Sequence, residues 1–401
     1  MNRSIKLAGL VTGVSLAAVV AGVLVAAQQS PDLASASGDV KPIDSSASTP
    51  TVPTPSTKPS GPPGTAGTTP TNKPTGNPAI PVKLTLDLTK LKQGDAPKTP
   101  YVADRTVHFG DTEFTLPASD GGVWDVVRAG AGSALVLHSP KNDGTAVLTT
   151  WSGGSRGATV KSVNSVASSA DRTTSAYTVQ PTAADGSELP RFTVTWRDNP
   201  SGETMSLQRT GESGPIVRAV IGSEVYFSAL GKNSKETLYV WTAGSDQPRA
   251  ISAVPTPSAV SSDGQLAAGV VSQLDDGSCT AVVDLASAKK RWSTCKYAVD
   301  ELPGAGDFAL GGPAYRDGYG DGVFAALDVR NGKLIREWSG GSAVAIVGTV
   351  LEDADHILTL AEQGNQTAIV RCAPKTGTCE LAAPLKNGTG HDEKRPYQLG
   401  H

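Results

Sequence analysis

Four cysteines, Cys279, Cys295, Cys372 and Cys379, are the residues whose type and spacing most plainly suggest chemistry, and all lie in the last third of the 401-residue chain. Cys279 opens one apolar run, SCTAVVDL, and Cys295 ends the next, RWSTCKY, with a turn near Ser287 between them. Cys372 and Cys379 flank a single turn, RCAPKTGTC. Residues opposed across a hairpin lie within disulfide reach. In an oxidising compartment the spacing therefore predicts Cys279–Cys295 and Cys372–Cys379. A zinc site would need CxxC spacing or neighbouring histidines, and neither is present.

Other arrangements reduce to turns. Gly153-Gly154-Ser155-Arg156-Gly157 matches G-x-S-x-G. A hydrolase nucleophile needs that turn between a strand and a helix, whereas strand-like runs flank it here. Asp317-Gly318-Tyr319-Gly320-Asp321-Gly322 brings two carboxylates into one loop, without the third acid and the Glu of a calcium loop. His108, His138, His356, His391 and His401 show no ligand spacing, and there is no phosphate or dinucleotide fingerprint. The sequence assigns no catalytic residue, metal or cofactor. A formal net charge of −3 with 18% charged residues gives no electrostatic case for nucleic acid.

The elements that must position these residues are strands. In DGVFAALDVRNGKLIREWSG (321–340) two apolar runs flank Asn331-Gly332. That pairing predicts a hairpin with a type I′ turn, because both residues tolerate positive φ. The same hairpin recurs. Residues at the top of its first strand are Trp151, Trp196, Trp241, Asp284, Asp328 and Ala373, at separations of 45, 45, 43, 44 and 45. One step back lies His108, in TVHFGDTEFTL. Each period also holds two further strand-like runs, such as PSAVSSDG and QLAAGVVSQ. A strand-only period of about 40–50 residues predicts propeller blades of four strands. The recurring tryptophans then read as packing between blades.

SSDG, then QLAAGVV, then AVVDLASAKKRW resembles the "SPDG … apolar … D-x-x-[ST]-G" blade of TolB-like and WD-repeat-like bacterial propellers, although the Pro is missing. ALDVRNGKLIREW matches the second half of that pattern, and TAIVRCAPKTGTCELA resembles it with Cys372 near the Asp place. The resemblance covers residues 101–386 at blade level and implies a ligand or protein platform.

The expected fold is all-β: a seven-bladed propeller over residues 81–386, followed by a polar tail, 387–401. The first blade has at most three local strands. Either VKLTLDL (82–88) completes the last blade as a latch, or blade one is short, since the tail after Leu385 shows no strand.

Residues 1–27 carry Arg3 and Lys6 before an uncharged apolar stretch, Leu7 to Ala27. About 20 such residues span a bilayer. The segment reads as a signal anchor or, with Val25-Ala26-Ala27 as a cleavage site, as a signal peptide. Both readings put the rest outside the cytoplasm: at the membrane on a single pass, or secreted. Residues 28–80, rich in Pro, Thr and Ser, cannot bury enough surface to fold and read as a disordered, extended stalk.

The longest polar insertions, 185–188, 273–278 and 316–322, join second and third strands in blade order and so share one face of the disc. They carry Glu188, Asp275, Asp276, Asp317 and Asp321. This acidic face is the expected ligand site, suited to a basic partner or a cation. The expected function is a non-enzymatic, extracytoplasmic module that binds a protein or cell-envelope component. The alternative is a propeller enzyme acting on carbohydrate or peptidoglycan, with acids meeting at the central channel.

Overall fold

The computed structural model describes residues 82–140, 145–275, 277–316, 319–389 and 395–401. The expected anchor and stalk, with Asp276, Asp317 and His391, lie outside them. Among the described residues the only helical turns are two short 3-10 segments, Leu88–Lys90 and Ala118–Asp120, and no helix is long and apolar enough to cross a membrane.

Seven sheets form a ring. Blade 2 is Gly122–Arg128, Ser133–Ser139, Val147–Ser152 and Ser155–Lys161; blade 3 is Val163–Ser168, Thr174–Val179, Arg191–Asp198 and Thr204–Thr210. Blade 4 is Ser213–Ile221, Glu224–Leu230, Glu236–Thr242 and Arg249–Pro255; blade 5 is Pro257–Val260, Leu266–Leu274, Gly277–Asp284 and Lys289–Thr294. Blade 6 holds Tyr297–Glu301, Phe308–Pro313, Val323–Asp328 and Leu334–Ser339; blade 7 holds Val344–Leu351, Ile357–Gln363, Gln366–Cys372 and Cys379–Asn387. The first strands of neighbouring blades touch one another around the axis. The repeated hairpin joins third and fourth strands, so the 44-residue period is the period of the blades.

The core is seven apolar clusters, one in each gap between adjacent blades. Alternation makes this possible: each strand sends successive side chains to opposite faces of its sheet, so one blade feeds two gaps. Trp151 stacks on Phe114 between blades 1 and 2, with ring centres 4.8 Å apart. Trp241 is fully buried between blades 3 and 4, and its indole N–H donates to the Ser245 carbonyl at 2.8 Å. Trp338 is buried between blades 6 and 7 against Phe324. These tryptophans pack between blades.

Ring closure differs from the sequence expectation. Blade 1 is Tyr397–Leu399, Tyr101–Ala103, Thr106–Phe109 and Thr112–Thr115. Its first strand comes from the tail that was expected to hold none, pairing Tyr101 with Leu399 and Ala103 with Tyr397. A three-residue strand whose partner lies about 300 residues away carries no local turn signal. VKLTLDL does not complete the last blade either. Lys83–Thr85 adds in parallel to the outer edge of blade 6, Leu84 opposite Trp338. Leu86 and Leu88 then enter the core between blades 6 and 7, and Gln93 bridges to Leu381 on the outer strand of blade 7.

The Asn331-Gly332 turn is also wider than a two-residue type I′ turn. Asp328 spans it, its carboxylate accepting the Arg330 N–H and its carbonyl accepting the Gly332 N–H, both at 2.8 Å. Among these turn residues only Gly332 takes a left-handed φ, 72°, and a Cβ there would meet the Trp292 ring at 2.5 Å. Both constraints select glycine.

Candidate functional site

Two disulfides close hairpins. Cys279–Cys295 ties the third strand of blade 5 to the residue just past its fourth, and Cys372–Cys379 joins directly paired residues of blade 7. Each loop is short, 16 and 7 residues in separation, so each stabilises by about 2–3 kcal/mol in the chain-entropy account.

The three described acids of the expected ligand face, Glu188, Asp275 and Asp321, sit in different settings. The segments 185–188 and 316–322 do lie between second and third strands of blades 3 and 6, whereas 273–278 is mostly strand, its ends belonging to Leu266–Leu274 and Gly277–Asp284 of blade 5. Glu188 is exposed beyond a turn built by Asp185, whose carboxylate accepts the Ser187 N–H at 3.0 Å. Asp275 is exposed at the tip of the blade 5 hairpin, with no ion-pair partner among the described residues. Asp321 is half-buried and faces a cation: Arg316 Nε lies 3.6 Å from it. The same guanidinium donates to Asp300 at 2.5 Å.

Those contacts set the electrostatics of the axis. Burial pushes the Asp321 carboxyl up to about 6, Arg316 opposing and the neighbouring Asp300 adding to the rise. Burial likewise raises Asp300, against the pull of Arg316. A second group joins three blades. The His401 N–H donates to the Val126 carbonyl of blade 2 at 3.1 Å, and its ring lies 3.7 Å from Glu301 of blade 6. The other Glu301 oxygen accepts the Leu351 N–H of blade 7 at 2.7 Å. Partial desolvation disfavours the imidazolium, though the side chain stays 40% exposed, but Asp125 and then Glu301 outweigh it and lift His401 to about 9. In blade 4, Arg218 pairs with Glu236 at 3.0 Å and donates to Ser258 of blade 5.

Sequence reasoning missed Asp125, Asp300, Glu301 and His401. A usable signal exists for the first three: each is an acid within the first strand of an otherwise apolar blade, a phase readable once the 44-residue period is set. His401 lies past the closing strand, where the repeat gives no phase.

A cleft of about 530 Å³ opens between blades 6 and 7, lined by Tyr319, Asp321, Ser342, Glu362 and Asn365 among others. The Tyr319 hydroxyl donates to Glu362 at 2.8 Å. Glu352, Asp353 and His356 also converge, but cations of the chain already hold the two acids. Arg371 pairs with Glu352 at 2.5 Å and Lys98 with Asp353 at 2.6 Å. That group reads as a structural ion-pair network. The G-x-S-x-G segment is a tight turn between paired Ser152 and Ser155, with Gly153 and Gly154 both at positive φ and a strand on each side.

Fold and site together define a seven-bladed β-propeller, closed by its C-terminal strand, with compensated charge on its axis and exposed acids on one set of connections. Similar solved structures include an uncharacterized protein from Listeria monocytogenes EGD-e, at 12% identity over 75% of this chain and 88% of that one, TM-score 0.44. The β-propeller domain of the Trilobed protease from Pyrococcus furiosus is similar at 7% identity, over 65% and 84%, TM-score 0.46. TolB from Acinetobacter baumannii is similar at 12% identity, over 74% and 65%, TM-score 0.38. No family model and no curated protein matches the chain.

Proposed function

We propose that the chain is a non-enzymatic, extracytoplasmic binding module. A Pro/Thr-rich stalk holds it off the membrane, and it binds a protein or cell-envelope component through the face that bears the second-to-third-strand connections. The observation that carries this reading is how the acids divide. Those on the axis are tied to Arg316, Arg218 or His401, whereas Glu188 and Asp275 project from loops with nothing opposite them among the described residues. Compensated charge holds blades together, and uncompensated exposed charge is available to a partner. The two disulfides support the compartment.

The test replaces Glu188 by Gln and Asp275, Asp276 and Asp317 by Asn together, leaving Asp321 because it is half-buried beside Arg316. Retention of envelope components on the immobilised domain is then compared at low and high salt. The wild type retains a component that salt releases, and the variant loses it. An identical, salt-independent bound set for both proteins refutes the acidic-face site.

One observation favours a second reading, a glycosidase-like enzyme. Asp321, with its carboxyl raised to about 6, lines the same cleft as Glu362, and a raised acid beside a second carboxylate suits general-acid chemistry. Release of reducing sugar from peptidoglycan, abolished by Asp321→Asn, would establish it over the binding module.

A further inference from the structure

Five large apolar side chains stay exposed among the described residues: Val82, Leu230, Val271, Leu274 and Tyr315. Three belong to one neighbourhood. Val271 and Leu274 lie at the far end of the second strand of blade 5, 46% and 44% exposed. Tyr315, 53% exposed, lies on the blade 6 connection that docks against the third strand near the tip of the same hairpin. There the Ser278 N–H donates to the Ala314 carbonyl at 3.1 Å. Gly277, at φ 149°, lets that backbone in: a Cβ would meet Ala314 and Tyr315 main-chain atoms at 3.2–3.3 Å.

The hairpin outgrows its blade. The first strand, Pro257–Val260, pairs with the second only as far as Gly269, and the Val270 N–H closes on the Thr256 carbonyl. Beyond a bulge at Val271 the second strand pairs with the third alone among the described residues, Ser272 opposite Cys279 and Leu274 opposite Gly277. No described residue pairs with its other edge, and Val271 to Asp275 are all exposed. The Cys279–Cys295 disulfide sits where the hairpin leaves the blade and holds it rigid at its root. Elsewhere the molecule already accepts a strand from outside a blade, Lys83–Thr85 on the edge of blade 6.

We infer that the edge Val271–Leu274 docks an extended segment of a partner protein in which basic and apolar residues alternate. The partner's backbone pairs with the edge, as in other strand-addition complexes. Its apolar side chains cover Val271 and Leu274, and a Lys or Arg residue meets the acid at the tip, Asp275. Exposed edges and apolar clusters are hazards that monomers usually cover. Here the free acid beside them selects a cationic occupant.

This inference rests on the binding-module reading and names the partner's chemistry. The probe is an eight-residue peptide of alternating Lys and Val/Ile. Two controls accompany it: a version with alternate backbone nitrogens methylated, and a version with Glu in place of Lys. Binding is followed by fluorescence anisotropy on the full chain, and the contact is mapped by hydrogen exchange. The basic peptide should bind, slow amide exchange at 271–274, and weaken at least tenfold with Val271→Glu/Leu274→Glu. Weakening with Asp275→Asn/Asp276→Asn should be several-fold and salt-dependent. The methylated and acidic peptides should bind at least tenfold more weakly. Because the altered side chains are exposed, unchanged thermal midpoints verify that the variants fold. No binding, equal binding of all three peptides, or protection away from 271–274 overturns the inference. Should that happen while the four-acid variant still loses its envelope component, the edge fails and the acidic-face site stands.

Discussion

The two ends of the described chain join the ring in opposite ways. Tyr397–Leu399 enters blade 1 as its first strand, and Tyr397 and Leu399 are 2% and 4% exposed in the cluster shared with blade 7. The 82–98 segment stays outside. It lies along the outer edge of blade 6, inserts Leu86 and Leu88, and crosses blade 7 largely on polar bonds. Arg371 donates to the Asp95 and Ala96 carbonyls and pairs with Glu352, which in turn accepts the Lys98 N–H. The first end completes the ring by apolar burial. The second covers strand edges that would otherwise be open, and a buried charge network pins it. A closing strand must satisfy one blade and its gaps together, whereas the covering strand adds to blades whose four strands are already complete.

Deleting 396–401 should have the largest effect. Removing Tyr397 and Leu399 should cost at least about 5 kcal/mol from lost burial alone. Blade 1 should lose hydrogen-exchange protection as a unit. Retained protection at Val102 and Val107 would show that the ring closes without this strand. Next comes Arg371→Ala, which strands Glu352 in a buried site; urea unfolding should report a loss of about 3–5 kcal/mol. Exchange should rise along 92–98 and remain low in blade 1, and loosening of blade 1 instead would erase the distinction between the two ends.

A smaller effect concerns pH. The His401 folded value of about 9 lies above its unfolded value, because Asp125 and Glu301 outweigh burial. Its stabilisation is thus complete below about pH 6.5 and is lost as pH rises through 9. The stability gap between wild type and His401→Gln should narrow over that window, and a gap constant from pH 6 to 9.5 would show that the imidazolium contributes nothing. Lys83→Ala should matter least. Its ammonium meets Glu337 at 2.7 Å but is 63% exposed, so solvent screens the pair and the thermal midpoint should scarcely move.

The blades were legible in the sequence because everything that makes one is local: two strand runs, a turn, two more runs, repeated near every 44 residues. The cysteine pairs were legible for the same reason, each lying across one hairpin. What escaped was non-local. Tyr397-Gln398-Leu399 is too short to announce a strand, and its partner is Tyr101. Lys83-Leu84-Thr85 looked like a strand and is one, but which edge it joins depends on where Trp338 lies in space. Glu188, Asp275 and Asp321 lie between second and third strands, yet their sequence neighbours do not reveal that Arg316 turns inward to Asp300 and Asp321. A charge is read correctly from composition only when its partner is close in the chain.

The C-terminal strand also imposes an order of events. Both disulfides join residues within one hairpin, 16 and 7 positions apart, so each can form as soon as its own stretch has left the ribosome or the export channel. Six blades are assembled from consecutive segments and can fold in turn. Blade 1, made from some of the earliest described residues, must wait for Leu399, about 300 residues later. Until then Tyr101–Ala103 has no inner neighbour, and a pairing over so long a separation is slow to find. The last step of ring closure therefore falls on one of the earliest described blades, and until Leu399 arrives that blade is the one most open to a chaperone or a protease.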